Sequence, residues 1–404
     1  MDVLFLCGYF ESKYQKEIVG KSKQGMQNAA NTFQKRLISG FNKQDINFTV
    51  ISAPFIGSWP MAYSDYKFTG FEAGSSEENI EYVSFNNVWG YRNISRATAL
   101  KKRVKEFLTK SSGSPKAIVI YSAHTPLLEA AVYAKRIDPA VHIHMIVPDL
   151  HQYMNLSKSA HPVYDFFKKL DIKKFNKLNR HVDSYMLLTQ HMADKLDVGR
   201  RPYIVVEAVV DDVPEVLGNG HPRRKRIAYA GLLAESYGVK RLMEAFALID
   251  DPEATLELCG DGELRAYIEK QAQEDKRIHY HGQVSAEKAN EILMNADVLV
   301  NPRINDNEYT RYSFPSKNIE YLMTGNRVVA YQLDGMPEVY RNFLLIPFDD
   351  SEEMLAKALQ EAVLDSGEEN EREHSRLIDY CNSQCVAHRV TYKIVRLIQN
   401  GSVY

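Results

Sequence analysis

RIAYAGLLAESYGVKRLMEAFALIDDPEATLELCGDG (226–262) holds one full structural period of this chain. RIAYAGL (226–232) is a short apolar run that closes on Gly231. KRLMEAFALI follows with apolar residues at helical spacing, and ATLELCGDG (254–262) is a second apolar run ending in a glycine turn. Strand, helix and strand in this order, with strands apolar throughout, point to parallel pairing. A sheet covered by helices on both faces has no polar side. The glycine spacing is neither G-x-G-x-x-G nor that of a P-loop, which argues against a nicotinamide dehydrogenase. Taken alone, both glycine turns read as ordinary strand-to-helix turns.

The same period repeats in both directions. Downstream, RIHYHGQ (277–283), DVLVNPR (297–303), RVVAYQ (327–332) and FLLIPF (343–348) read as strands, with ELRAYIEKQAQ and AEKANEILMNA as helices. SGEENERE (366–373) reads as a polar loop, and about 375–399 as a last helical stretch. Upstream, VLFLCG (3–8), FTVISAPF (48–55), AIVIYSA (117–123), VHIHMIVPD (141–149), SYMLLT (184–189) and PYIVVEAVVD (202–211) read as strands. Residues 24–40 place Met26, Ala29, Ala30, Phe33, Leu37 and Ile38 at helical spacing, with Gly40 as the expected stop. PEVLGNGHPR (214–223) is rich in Gly, Pro and Asn and marks a boundary. The fold class expected is α/β, with two Rossmann-like doubly wound domains facing a cleft. The first domain spans 1–213, the second 214–385, and 386–404 is a C-terminal helix packing back on the first.

Bulk properties agree with two soluble domains. The chain has 404 residues, 45% hydrophobic and 25% charged, so either half can bury a core. A formal charge of −2 gives no electrostatic case for nucleic acid as a partner. No run approaches the roughly 20 apolar residues of a membrane span, and MDVLFLCGYF lacks the basic flank of a signal peptide. Cys7, Cys259, Cys381 and Cys385 form no disulfide framework. Cys381 and Cys385 have His374 and His388 nearby but lack the short paired spacings of zinc sites, so no metal is expected. A cytoplasmic location fits.

The densest chemistry lies in NPRINDNEYTRYSFPSKNIEYLMTG (301–325). A strand delivers Arg303 to its carboxyl end. A polar loop carries Glu308, Arg311 and Tyr312, and a helix opens near Pro315 with Ser316, Lys317 and Asn318. Free N–H groups at a helix start, with Arg303 and Lys317 adding formal charge, suit a diphosphate. Glu320, one turn along, can accept hydrogen bonds from ribose hydroxyls. A salt-bridged loop capping an ordinary helix is the alternative.

The succession of glycine turn, CGDGEL (259–264), YHGQV (280–284), NPR…YSFPSK…EYL and a glycine stop resembles the carboxyl-terminal half of retaining GT-B-fold glycosyltransferases. That family includes sucrose synthases and bacterial polysaccharide and lipopolysaccharide transferases; the chain looks most like capsule and exopolysaccharide enzymes. The resemblance covers the carboxyl half well and the amino half through layout alone. It implies transfer of a sugar, with retention, from a nucleoside diphosphate sugar to a glycan or lipid-linked hydroxyl in cell-surface polysaccharide synthesis. It implies no metal or other cofactor; the nucleotide sugar is a co-substrate. Glu320 matches the ribose glutamate. Ser316, Lys317 and Asn318 match positions near the diphosphate, Gly231 and Gly238 line the phosphate side, and YHGQV, with His281, matches the base-binding segment. Gly25 matches a glycine facing the acceptor and phosphate. Leu232, Tyr237 and Tyr312 stand where many relatives have arginine, lysine and glutamate. Arg303 and Lys317 are therefore expected to supply the missing charge, with Glu308 or Tyr312 touching the donor sugar.

In the amino half, Asp149 and His151 follow one strand and His124 another. Asp149 is the candidate for gripping sugar hydroxyls, His124 and His151 candidates for the acceptor side. FFKKLDIKKFNKLNRH (166–181) is basic and amphipathic, a candidate contact with the inner face of a membrane or a solvated helix packed on its own domain. A sugar-nucleotide 2-epimerase and a non-catalytic transferase-like partner subunit remain open as other readings.

Overall fold

The computed structural model describes residues 1–23, 28–71, 80–110, 113–151, 162–213, 224–305, 308–364 and 368–401. The expected acceptor-side Gly25 and the break at 214–223 lie outside these residues. The chain forms two compact units, one of Met1–Asp211 with Gln384–Tyr404 and one of Asp212–Ser383.

The first unit begins β1 (Asp2–Cys7), α1 (Ser12–Lys21), α2 (Asn28–Asn42) and β2 (Asn47–Ser52). Short strands β3 (Lys67–Phe68), β4 (Ile80–Tyr82) and β5 (Phe85–Asn86) follow, then α3 (Arg92–Lys110), β6 (Lys116–Tyr121), α4 (Thr125–Ile137) and β7 (His142–Val147). The unit continues through α5 (Pro162–Asn179), β8 (Ser184–Leu187), α6 (Met192–Lys195) and β9 (Tyr203–Val205). Its seven-stranded sheet has the order β4-β2-β1-β6-β7-β8-β9 and is parallel throughout. β3 and β5 make a separate antiparallel pair. Residues 3–7 and 117–121 are buried on both faces, which is why these strands read as unbroken apolar runs.

The second unit comprises β10 (Arg226–Ala230), α7 (Val239–Ala247), β11 (Thr255–Cys259), α8 (Arg265–Glu274), β12 (Ile278–Tyr280) and α9 (Ala286–Met294). β13 (Val298–Asn301), α10 (Ser316–Leu322), β14 (Arg327–Ala330), α11 (Glu352–Leu364) and α12 (Glu368–Gln384) complete it, α12 ending at the unit's edge. The sheet order is β12-β11-β10-β13-β14, all parallel. α7 buries Val239, Leu242, Met243 and Phe246, one stripe at steps of three and four, into the core with Leu256, Leu258 and Val300.

Three expectations change. FLLIPF forms no strand: Leu345 makes only an isolated bridge to Val329. Residues 368–373, expected in a loop, are helical and open α12. The last helical stretch is two helices, because Cys385 and Val386 separate α12 from α13 (Ala387–Asn400), and Val386 pairs with Val210. α13 then packs Val390, Ile394 and Leu397 with Leu37, Ile38 and Phe41 of α2 in the first unit's core. Gly40 does not stop α2. It lies within it, where a Cβ would overlap the Ala387 carbonyl of α13.

Candidate functional site

In each sheet the strand order reverses at one place, between β1 and β6 and between β10 and β13. Ligands of open parallel sheets sit beyond the strand ends at such a point, because loops diverge there and leave a crevice. In the second unit this point collects the turn after β10 and the loop after β13. Gly238 is left-handed, with φ 75°, and a Cβ on it would overlap the Pro302 carbonyl. The two loops therefore meet backbone against backbone. A Cβ on Gly231 would overlap the Lys317 ammonium, so this glycine leaves the lysine its seat.

The two cations expected at the phosphates lie here, and aromatic rings hold them. Lys317 Nζ sits 4.4 Å from the Tyr229 ring centre and 5.9 Å from that of Tyr237, and donates to Tyr229 Oη at 3.3 Å. The Arg303 guanidinium lies 4.8 Å from the Tyr309 ring and 5.6 Å from the Tyr237 ring. Neither forms an ion pair among the described residues, and the buried Nη2 of Arg303 has no hydrogen-bond partner. Burial lowers the Lys317 pKa to about 8, the Glu320 charge raising it and Arg303 lowering it further. Cation–π contacts of about 0.5–2 kcal/mol fix these side chains without neutralising them. The site keeps two positive charges uncompensated by a bonded carboxylate. Tyr229, Tyr237 and Tyr309 were not legible as its support; the only signal was tyrosine in place of the usual lysine at 237.

The remaining donor-side candidates are placed as follows. α10 begins at Ser316, with Pro315 before it as the cap, and has seven residues. So short a helix adds little dipole, and the charge comes from the side chains. Ser316 and Glu320 are exposed on it. Asn318, expected beside the diphosphate, instead turns its side chain inward. It is fully buried, accepts from Asn301 Nδ2 at 2.5 Å and faces Met336 Sδ at 3.4 Å, locking α10 to β13. Tyr312 is buried and donates to the exposed Glu308 at 3.2 Å, so these two act as a pair. Arg311 meets Asp334 at 3.7 Å. His281 shares Glu257 with His279, at 2.7 and 2.8 Å. Burial pushes the Glu257 carboxyl up, yet these two hydrogen bonds hold it below its usual value. The Gly282 carbonyl accepts from Gly260 N–H at 2.9 Å, so the YHGQV segment is clamped to the glycine turn after β11.

In the first unit His151 is tied inward by hydrogen bonds, whereas His124 is packed inward with its buried Nδ1 unpartnered. His151 bonds the Ala123 carbonyl at 2.7 Å and Asp171 of α5 at 3.0 Å, and stacks on Phe175 at 4.7 Å. It fastens α5 to the end of β6. His124 packs edge-on to Phe55, and burial, then the Arg96 and Arg92 charges, hold it well below the usual imidazole pKa. Asp149 is open to solvent on one side, while desolvation by the crowded protein around it raises its carboxyl pKa. Among the described residues no group of three or more His, Cys, Asp or Glu could hold a metal ion.

Residues 224–365 match the family described as glycosyl transferases group 1. No curated protein matches the chain in sequence. Similar solved structures include the lipopolysaccharide outer core galactosyltransferase WaaB, 14% identical over 95% of this chain and 96% of that one, with a TM-score of 0.61. The sucrose-phosphate synthase of Thermosynechococcus elongatus is 14% identical, both chains covered in full, with a TM-score of 0.62. HepE of Anabaena, solved with UDP, is 14% identical over 98% of this chain and 99% of that one, with a TM-score of 0.61. At such identities these likenesses speak to fold, and the family match speaks to the second unit. The family match thus lies within the second unit, and the chain has the α/β fold of its GT-B neighbours.

Proposed function

We propose that this enzyme transfers a sugar, with retention, from a nucleoside diphosphate sugar to a hydroxyl of a glycan or lipid-linked acceptor in cell-surface polysaccharide synthesis. The observation that carries this reading is the Arg303–Lys317 pair, seated on tyrosine faces at the switch point of the second sheet with no bonded carboxylate. Two such cations match the charge of a diphosphate and stabilise it most as it departs, when its negative charge grows. They supply that charge from the protein itself, so no metal is invoked at the diphosphate. Solved relatives of like fold, HepE with UDP and glucose among them, support a uridine nucleotide as the first donor to try.

In the proposed transfer these charges face the leaving diphosphate. The bond between the anomeric carbon and the β-phosphate oxygen breaks, the acceptor oxygen bonds that carbon from the same face, and its proton passes to the leaving diphosphate. Glu320 would hold the ribose, the YHGQV backbone the base, and Glu308 with Tyr312 the sugar. Asp149 would face the acceptor. The enzyme would work in the cytoplasm, its basic helix α5 meeting the inner face of the membrane that carries a lipid-linked acceptor.

The test is thermal stabilisation by UDP, GDP and ADP and their sugars without added metal, then product analysis with the best donor. A ligand at a hundred times its dissociation constant adds about 2.7 kcal/mol. Stabilisation by one diphosphate nucleotide, lost in Arg303→Ala and Lys317→Ala, is expected. Stabilisation by none sinks the donor reading. An epimerised donor formed without any acceptor would replace transfer by 2-epimerisation.

A further inference from the structure

α5 presents two kinds of residue on one exposed face. Phe166 is 59% exposed and Leu170 46%, and Lys173 and Lys177 follow at the next helical steps on the same side. Lys169 flanks them. Phe175 and Leu178 face the other way, into the unit. Lys169, Lys173 and Lys177 form no ion pair among the described residues, whereas Lys174 at the flank is held by Glu129. Phe167, 53% exposed, meets Trp89 edge-on at 6.2 Å. Trp89 belongs to a separate segment just ahead of α3 that also exposes Tyr91, and the first turn of α3 exposes Ile94. Two elements distant in sequence therefore join in one exposed apolar surface with lysines beside it. A monomer gains nothing in water from such a surface.

We propose that this composite surface, Trp89 and Tyr91 with Phe166, Phe167 and Leu170, inserts into the interface of an anionic lipid bilayer while Lys169, Lys173 and Lys177 lie against its headgroups. Unneutralised lysines beside apolar and aromatic side chains fit negative headgroups over acyl chains. A protein partner would be expected to answer these charges with carboxylates, and a second copy would set lysine against lysine. No helix among the described residues is long and apolar enough to cross a membrane, so the contact is peripheral. This extends the membrane contact of α5 named above to a second element. It rests on that part of the proposed function and not on the donor chemistry.

The experiment uses the full chain with vesicles of phosphatidylcholine alone or with phosphatidylglycerol. The chain has two tryptophans, so Trp59→Phe leaves Trp89 as the reporter. Expected are co-sedimentation with the anionic vesicles, weakening with salt, and a blue shift of Trp89 quenched by brominated lipid. Lys169→Glu/Lys173→Glu/Lys177→Glu should lower partitioning by about 100-fold or more. Phe166→Ser/Leu170→Ser should abolish the Trp89 shift. Both variants change exposed side chains, and unaltered thermal unfolding and UDP binding would show them folded. No binding to anionic vesicles at low salt, or binding without change at Trp89, would overturn the proposal. So would self-association lost in Phe166→Ser/Leu170→Ser, which would assign the surface to a second copy. Failure of the donor reading would appear separately, as absent nucleotide binding in a chain that still sediments with vesicles.

Discussion

The two sheets end differently. At the switch point of the second, Arg303 and Lys317 are held by tyrosine rings and keep their charge available. At the carboxyl end of the first, His151 is bonded on both ring nitrogens and His124 is packed against Phe55. Arg303 and Lys317 await a ligand; His151 already has its partners, while the buried Nδ1 of His124 has packing around it and no hydrogen bond. The lesson is that position at a strand end does not make a residue functional. What separates Arg303 and Lys317 from His151 is whether the protein has already satisfied the group, since a bonded side chain must first give up its bonds to serve a ligand.

The severest way to break this comparison is Arg303→Ala/Lys317→Ala. Nucleotide diphosphate affinity should fall at least 100-fold, about 3 kcal/mol or more, in calorimetry, because hydrogen bonds to charged groups are worth about 1.5–3 kcal/mol each. Each single substitution should cost roughly 10- to 100-fold, while His124→Ala leaves donor affinity within about twofold. Equal losses at histidine and lysine would erase the distinction between the two ends.

A pH series sharpens it. With Lys317 held down to about 8, diphosphate affinity should drop up to about tenfold between pH 7 and pH 9 as the ammonium is lost. The groups facing it are Arg303, Glu320, Tyr229 and Tyr237. Burial raises the Tyr229 hydroxyl well above its usual range, so it stays protonated in that window. Lys317→Arg should flatten the profile. The stability effect of the free protein has the opposite sign. Here the folded pKa lies below the ordinary 10.5, so the unfolded chain binds more protons between the two values, and stability rises with pH from about 8 towards 10.5.

The smallest effect is expected at His151. His151→Ala removes its bonds to Ala123 and Asp171 and its stacking on Phe175, loosening α5 by about 1 kcal/mol in denaturant unfolding with donor affinity unchanged.

Much of the fold was legible because parallel strands buried on both faces are apolar at every position, and runs such as VLFLCG and DVLVNPR admit few other readings. FLLIPF was misread for the same reason: an apolar run looks alike whether it joins a sheet or only bridges to one residue. Residues 368–373 open a helix, and composition alone does not separate a charged helix start from a loop. Around the site, FPSK and the arginine before it marked the charges, and the glycines marked the turns. Asn318 looked like a ligand contact because the pattern records a residue type and not the direction of its side chain.

By itself, then, the sequence determined the alternation of strands and helices, the place of the cationic loop after β13, and a two-domain plan, since all three rest on local patterns of burial and charge. The tertiary structure decided what those patterns cannot carry. It placed Tyr229, Tyr237 and Tyr309 beneath two cations, tied His151 to Asp171, set Gly40 against Ala387, and joined Trp89 to Phe167. Each pairs residues from separate elements, and such meetings depend on strand order and packing distance, which no local spacing records.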